Sequence, residues 1–489
     1  MITGGVTLIL RPINILASFV ILRLLNPDEV GAVALAMLLL VTSNLFAGLG
    51  MGMAVIHSKI DKRKTAFHAF VMMMASATAF FLLVFTNVRF FAGLLGDVTI
   101  APILRVMSYY ILIDTASTIP VSLLRKELKF ERVGVLSLVA ELVYTAVSIT
   151  LAFMGFGLWS LVIAKLAFVS VRTILSWLLC PGWDWLRVQR WDNNVARGLL
   201  TFGLRSTGSG LVAYFHTHWD DWLVGSSLGK AALGFYSKGY DLTNNTMNQL
   251  SNNVIGVVFF PSYAKIQDDP ERLSRAYLKS VRLVMLIMVP MALGLFSVAP
   301  EMVFVFWQEK WMPMVPVLQI YAFMLLTRPI SENAAPLFSS VGKPQYNMLA
   351  GVVLIAVMIP LALILLVQGF VGVAIAVVIA HLVGVMFNVF QMNRLLPGTA
   401  KETLKIMLPI VGVGVLMMSA VFLAKAPIQQ LIGGDKYNLF GLMSLVVVGA
   451  LVYLPAIFLT QRALLTEIIQ MVLSVLGPRL RRIGFAHQR

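Results

Sequence analysis

Apolar stretches of twenty or so residues recur along this chain, and nothing else constrains the fold as strongly. They fall at roughly 3–25, 30–55, 65–88, 100–124, 133–154, 157–180, 196–224, 231–260, 281–305, 315–340, 346–367, 370–393, 403–424 and 439–461. About twenty residues of helix cross the hydrocarbon core of a bilayer. A segment in hydrocarbon must satisfy its own backbone hydrogen bonds, which leaves helices or a closed barrel, and continuous apolar runs of this length select helices. The expected fold is an all-α polytopic membrane protein with about fourteen transmembrane helices. Of the 489 residues only 12% are charged, against about 25% in soluble domains. No hydrophilic segment is long enough for a separate soluble domain. The first span does not read as a signal peptide, because Arg11 interrupts it and no small-residue cleavage site follows.

The connections alternate in charge. One set is rich in Lys and Arg: 57–64, 125–132, 183–205, 262–282, 342–344, 394–405 and the tail after Gln461. The other set carries only Arg89, Lys230, Lys310, Lys425 and Lys436. Basic loops stay in the cytoplasm, so both termini are expected there. This also accounts for the net charge of +16 without a nucleic-acid partner. The single cysteine, Cys180, allows no intrachain disulfide. Leu25–Gly31 and Leu228–Gly234 both read L-x5-G at an outward turn entering a helix. This faint repeat fits a core of six plus six spans related by an axis along the membrane normal.

Polar residues inside the spans mark the candidate site. Lys238, Asp241, Asn245, Asn248 and Asn252 are spaced 3, 4, 3 and 4 apart, so they share one side of a helix. Thr7, Arg11, Asn14 and Ser18 form a second stripe, and Lys165 and Arg172 share a face seven residues apart. Glu141, Asp114, Asp220, Arg328 and Glu332 are further charges at membrane depth. A charge at the helix centre costs on the order of 2.5–3.5 kcal/mol on insertion scales, so such groups look onto protein or water. The expected picture is an internal cavity with more cations than anions. Arg11, Asn14, Lys165, Arg172 and Lys238 are the candidate anion-binding set. Asn245, Asn248 and Asn252 are candidate sugar contacts, and Glu141 and Asp241 are candidate ion-coupling carboxylates.

Plainer roles compete. Arg23, Arg105 and Lys238 have the reach to snorkel to the outer interface. Arg328 and Glu332, four apart, suit a structural ion pair. His216 and His218 lie on opposite faces of a helix, which disfavours a metal site, and His381 reads as a packed histidine. The methionine-rich run VMMM at 71–74 fits packing or a lipid-facing surface better than a metal path. GSSLGKA at 225–231 lacks the four-residue gap and the Ser or Thr after Lys that a phosphate loop needs. Catalytic motifs of hydrolases and metalloproteases are absent, so no enzyme, cofactor or metal is expected. H⁺ or Na⁺ remains as a coupling ion.

Longer stretches carry a family resemblance. They are RLLNPDEVGAVALA (23–36), DTASTIPVSLLRKELKFERV (114–133), GFGLWSLV (155–162), DDWLVGSSLGKAALGFYSKGYDL (220–242), FPSYAKIQDDPERLSRAY (260–277), EKWMP (309–313) and SSVGKPQ (339–345). In that order the chain resembles polysaccharide exporters of the MOP superfamily, the Wzx-type lipid-linked oligosaccharide flippases, to about residue 395. The resemblance implies two six-helix lobes in a V around a central cavity, plus two C-terminal helices. Its divisions would be 1–182, 183–395, and 396–489 with a cytoplasmic tail. It implies a multi-pass protein of a bacterial inner membrane that turns an undecaprenyl-pyrophosphate-linked repeat unit from the inner to the outer leaflet by alternating access. That would serve exopolysaccharide or lipopolysaccharide O-antigen export, beside a polymerase and a chain-length regulator. Relatives carry a short lead before their first helix, so a start upstream of Met1 is expected.

Two other functions compete. A multidrug antiporter of the same superfamily would favour acidic and aromatic residues for cationic drugs, and the excess of deep cations argues against it. A glycan polymerase or ligase would need a large outer loop, and the outer connections here are short.

Overall fold

The structure, a computed structural model, describes residues 17–180, 182–254, 260–431 and 437–462, the side chains of 244–261 excepted. Its regular structure is helical throughout these residues. After a helical stretch at 17–24, the long helices are α1 (Pro27–Gly48), α2 (Lys62–Thr86), α3 (Tyr109–Lys126), α4 (Phe130–Phe153), α5 (Leu158–Leu178), α6 (Asn193–Leu228) and α7 (Lys230–Val254). There follow α8 (Pro270–Trp307), α9 (Val315–Ser340), α10 (Gln345–Leu365), α11 (Gly369–Leu395), α12 (Thr399–Leu431) and α13 (Leu439–Thr460). Ten helical stretches among the described residues are long and apolar enough to cross a membrane, and one of them, Gln345–Leu395, contains both α10 and α11. The chain is a polytopic all-α membrane protein. α6 and α7 fall outside those ten; they carry His216, His218, Asp220 and Asp221, and the polar stripe from Lys238.

Local chemistry sets the helix starts. Pro27 opens α1 in its first turn, and the Glu29 carboxylate reaches back to accept from the Asn26 N–H at 2.8 Å. Asp192 accepts from the N–H groups of Asn194 and Val195 at the start of α6. The α4–α5 hairpin turns through Gly155 and Gly157, both at positive φ. Prolines inside α8, α9, α10, α12 and α13 each remove one backbone hydrogen bond, which a membrane helix tolerates when neighbours re-satisfy it.

The chain divides into two compact units. The first comprises Met1–Lys238, Phe306–Met314 and Ala362–Val373. The second comprises Gly239–Val305, Val315–Leu361 and Ala374–Arg489. In the first, Trp185 is buried between the rings of Phe70 and Trp177, so the loop after α5 docks back onto α2. In the second, Tyr263, Tyr277, Met285, Phe338, Met417 and Tyr453 belong to one core. The Tyr453 hydroxyl donates to the Leu286 carbonyl at 2.9 Å, which ties α13 to α8.

The two L-x5-G segments meet in the first unit. A Cβ on Gly31 would lie 1.7 Å from the carbonyl oxygen of Lys230, and one on Gly234 would lie 2.3 Å from that of Pro27. Pro27 and Lys230 occupy the same place in the repeat, as do Gly31 and Gly234. The contact is therefore reciprocal, and glycine is required on both sides because a backbone carbonyl fills the space.

Candidate functional site

The first unit holds a cavity of about 260 Å³. Val30, Val33, Ala34 and Met37, one face of α1, form one wall. Glu141, Tyr144 and Thr145 come from α4, Leu161 and Lys165 from α5, and Lys238 from α7. The Lys165 ammonium lies 4.9 Å from the Phe168 ring centroid and 5.9 Å from that of Tyr144, at cation–π distance. Three of the charges singled out in the sequence, Glu141, Lys165 and Lys238, thus line one space. Two are cations and one an anion, and all three are half-buried.

Arg172 goes elsewhere. Its Nη1 lies 3.1 Å from Asp114 Oδ1, while Asn44 Nδ2 donates to Asp114 Oδ2 at 2.5 Å and the Thr115 hydroxyl donates to Asn44 Oδ1 at 3.0 Å. This polar layer ties α1, α3 and α5 together. Asp114 is buried, and the charge-assisted contacts offset the cost of burying it. Arg172 shares a helical face with Lys165, but seven residues is about 10 Å along a helix, and it is not among the residues lining the cavity.

Asp220 of α6 is buried and accepts from the Tyr236 hydroxyl of α7 at 2.6 Å. Beside it His218 Nδ1 is 2.9 Å from Asp221 Oδ2. In the second unit Arg328 and Glu332 are 3.5 Å apart along α9, as their spacing predicts. Asp241, also in the second unit, is half-buried. Arg11 and Asn14 lie outside the described residues, as do the side chains of Asn245, Asn248 and Asn252.

Several charged contacts were not foreseen from the sequence, two long-range pairs among them. Lys425 of α12 is 2.7 Å from Glu301 of α8, with its ammonium 4.9 Å from the Phe422 ring centroid. Lys230 pairs with Asp97 at 3.1 Å. Each joins residues more than a hundred positions apart, so no local spacing signals it. Tyr144 was missed too; its signal is a position three residues from Glu141, on the same helical face. At the basic ends of α2 and α3, Glu127 accepts from Lys129 at 2.6 Å and from Lys62. Partial burial pushes its carboxyl up, but the hydrogen bonds from Lys129 and Lys62 outweigh this and hold it below the ordinary glutamate value.

Residues 20–316, more than half the chain, match the family described as "Polysaccharide biosynthesis protein", and residues 246–435 match "Lipid II flippase MurJ". The chain is 29% identical over 305 residues to the succinoglycan biosynthesis transport protein ExoT of Rhizobium meliloti (strain 1021), covering 62% of this chain and 60% of that relative. It is 22% identical over 402 residues to the lipopolysaccharide biosynthesis protein WzxC of Escherichia coli (strain K12), covering 81% and 80%. Among solved structures, lipid II flippase MurJ in an inward closed conformation superposes with a TM-score of 0.75 at 15% identity, covering 95% of this chain and 99% of that one. An inward-facing MATE transporter of the MOP superfamily gives 0.61 at 17% identity, covering 78% and 94%.

Proposed function

We propose that this chain, which belongs to the polysaccharide biosynthesis protein family, turns an undecaprenyl-pyrophosphate-linked oligosaccharide from the cytoplasmic to the outer leaflet of a bacterial inner membrane. The MOP-superfamily resemblance read from the sequence holds. Relatives named for polysaccharide biosynthesis and transport support movement of lipid-linked sugar.

The observation that carries the finer reading is the cavity on which Lys165 and Lys238 converge. A pyrophosphate needs cations in a site shielded from bulk water, where charge-assisted contacts are strongest. Arg11, Asn14 and Arg172 complete the anion-binding set in this proposal, Arg172 through the polar layer it makes with Asp114. Asn245, Asn248 and Asn252 would hold hydroxyls of the sugar. Glu141 stands where a coupling ion and the substrate head would meet, and Asp241 is the second coupling candidate. Both termini lie in the cytoplasm on this reading. The product would pass to a polymerase and its chain-length regulator.

The test is polysaccharide export in cells that depend on this chain. Lys165→Ala and Arg11→Ala variants that reach the membrane at wild-type levels should lose most export. Full export by both would remove the anion site.

A further inference from the structure

We propose that Asp220, with the His218–Asp221 pair beside it, forms a proton-binding site separated from the cavity by the thickness of α1. The residue is buried. The side chain that touches its carboxylate is a neutral hydroxyl, Tyr236, at 2.6 Å. The charged side chain next to it in sequence, Asp221, is another carboxylate, paired with His218 at 2.9 Å. A carboxylate removed from water beside a like charge, with a neutral hydroxyl as its side-chain donor, is driven to take up a proton. Its situation differs from that of Asp114, the other buried aspartate of this unit, which has an arginine at 3.1 Å.

The titratable groups around Asp220 lie on α6 and α7. Asp221, His218 and Tyr214 share its helix, and Tyr236 faces it from α7. Lys238, two residues beyond Tyr236, lines the cavity with Glu141 and Lys165. From Val30 to Gly48, α1 has no titratable side chain.

α1 stands between this group and the cavity. Val30, Val33, Ala34 and Met37 face the cavity. The opposite side meets α6: Leu35 packs against Gly225, where an added Cβ would lie 2.4 Å from its Cδ2, and the Leu38 carbonyl accepts from the Tyr214 hydroxyl at 3.0 Å. Tyr214 in turn lies 4.8 Å, ring to ring, from His218. A proton gained or lost at Asp220 therefore changes the charge on the helix that packs behind the cavity wall. The inference rests on the transport reading above for its purpose: this is where a proton gradient would act on the cavity from outside it.

Infrared spectroscopy of the full chain in lipid vesicles tests the site without a transport substrate. The wild type should show the C=O band of a protonated buried carboxyl, and Asp220→Asn should lose it. Two further variants keep the test sharp if Asp220→Asn fails to fold. Tyr236→Phe removes a donor to the ionised form, so the band should titrate at higher pH. Asp221→Asn removes a like charge, so it should titrate at lower pH. Absence of the band in wild type, its survival in Asp220→Asn, or failure of the two variants to shift in opposite directions would overturn the site. Because the readout needs no substrate, such a failure would leave the flippase reading standing. Full export by the Lys165 variant would conversely leave this site standing.

Discussion

The two compact units differ in what their cavities present. In the first, Glu141, Lys165 and Lys238 line the cavity, while Arg172, outside that lining, meets Asp114 at 3.1 Å. In the second, Glu301 binds Lys425 at 2.7 Å and Arg328 lies 3.5 Å from Glu332, while its cavity of about 400 Å³ is lined by side chains such as Leu286, Met291, Met417 and Leu454. The lesson is that a charge at membrane depth is not by itself a site. It has to face a space that a ligand can enter. Where it meets an opposite charge across two helices, it fixes their packing.

Stability separates the two units most. Lys425→Ala leaves Glu301 buried without its partner, and breaking a buried pair costs about 3–5 kcal/mol. Membrane levels and thermal stability should fall, and Glu301→Leu combined with Lys425→Met should restore them, because an apolar replacement of both partners is often neutral. In the first unit Lys165→Ala should do the reverse, keeping stability and losing export. Loss of one charge-assisted contact is worth about 1.5–3 kcal/mol, or ten- to a hundredfold in affinity. A destabilised Lys165 variant with normal activity per molecule would erase the distinction.

Two weaker contacts give smaller effects. Gly31→Ala drives a Cβ into the Lys230 carbonyl, and overpacking of this kind costs roughly 1–3 kcal/mol. Crosslinking between cysteines placed at the starts of α1 and α7 should weaken in that variant. Glu127→Gln is expected to cost at most about 1 kcal/mol, because the pairs with Lys62 and Lys129 are part-exposed. The folded-state carboxyl is held below its ordinary value, so its contribution is present above the ordinary glutamate range and disappears as pH falls below about 4. Wild type and variant should therefore differ in thermal stability at neutral pH and converge in acid.

How legible this was follows from the reach of each signal. The helices were legible because an apolar span needs only its own neighbours to declare itself. Arg328–Glu332 was legible for the same reason, since four residues is one helical turn. Periodicity also put Lys165 and Arg172 on one face. It could not show that Lys165 would reach the cavity while Arg172 met Asp114, 58 residues earlier in the chain. The Glu301–Lys425 contact and the reciprocal approach of Gly31 and Gly234 depend on tertiary packing. The L-x5-G repeat marked the positions of the second but not the contact.

In the proposed function, the charged cavity of the first unit holds the anionic head of a lipid-linked oligosaccharide. Photocrosslinking tests it most directly, using the full chain in lipid and a polyprenyl-pyrophosphate oligosaccharide with a photoreactive group next to the pyrophosphate. Labelled peptides from α4 and α5 around Glu141 and Lys165 are expected, with labelling reduced at least about tenfold in Lys165→Ala. Labelling confined to the second unit, or unchanged in that variant, would contradict it.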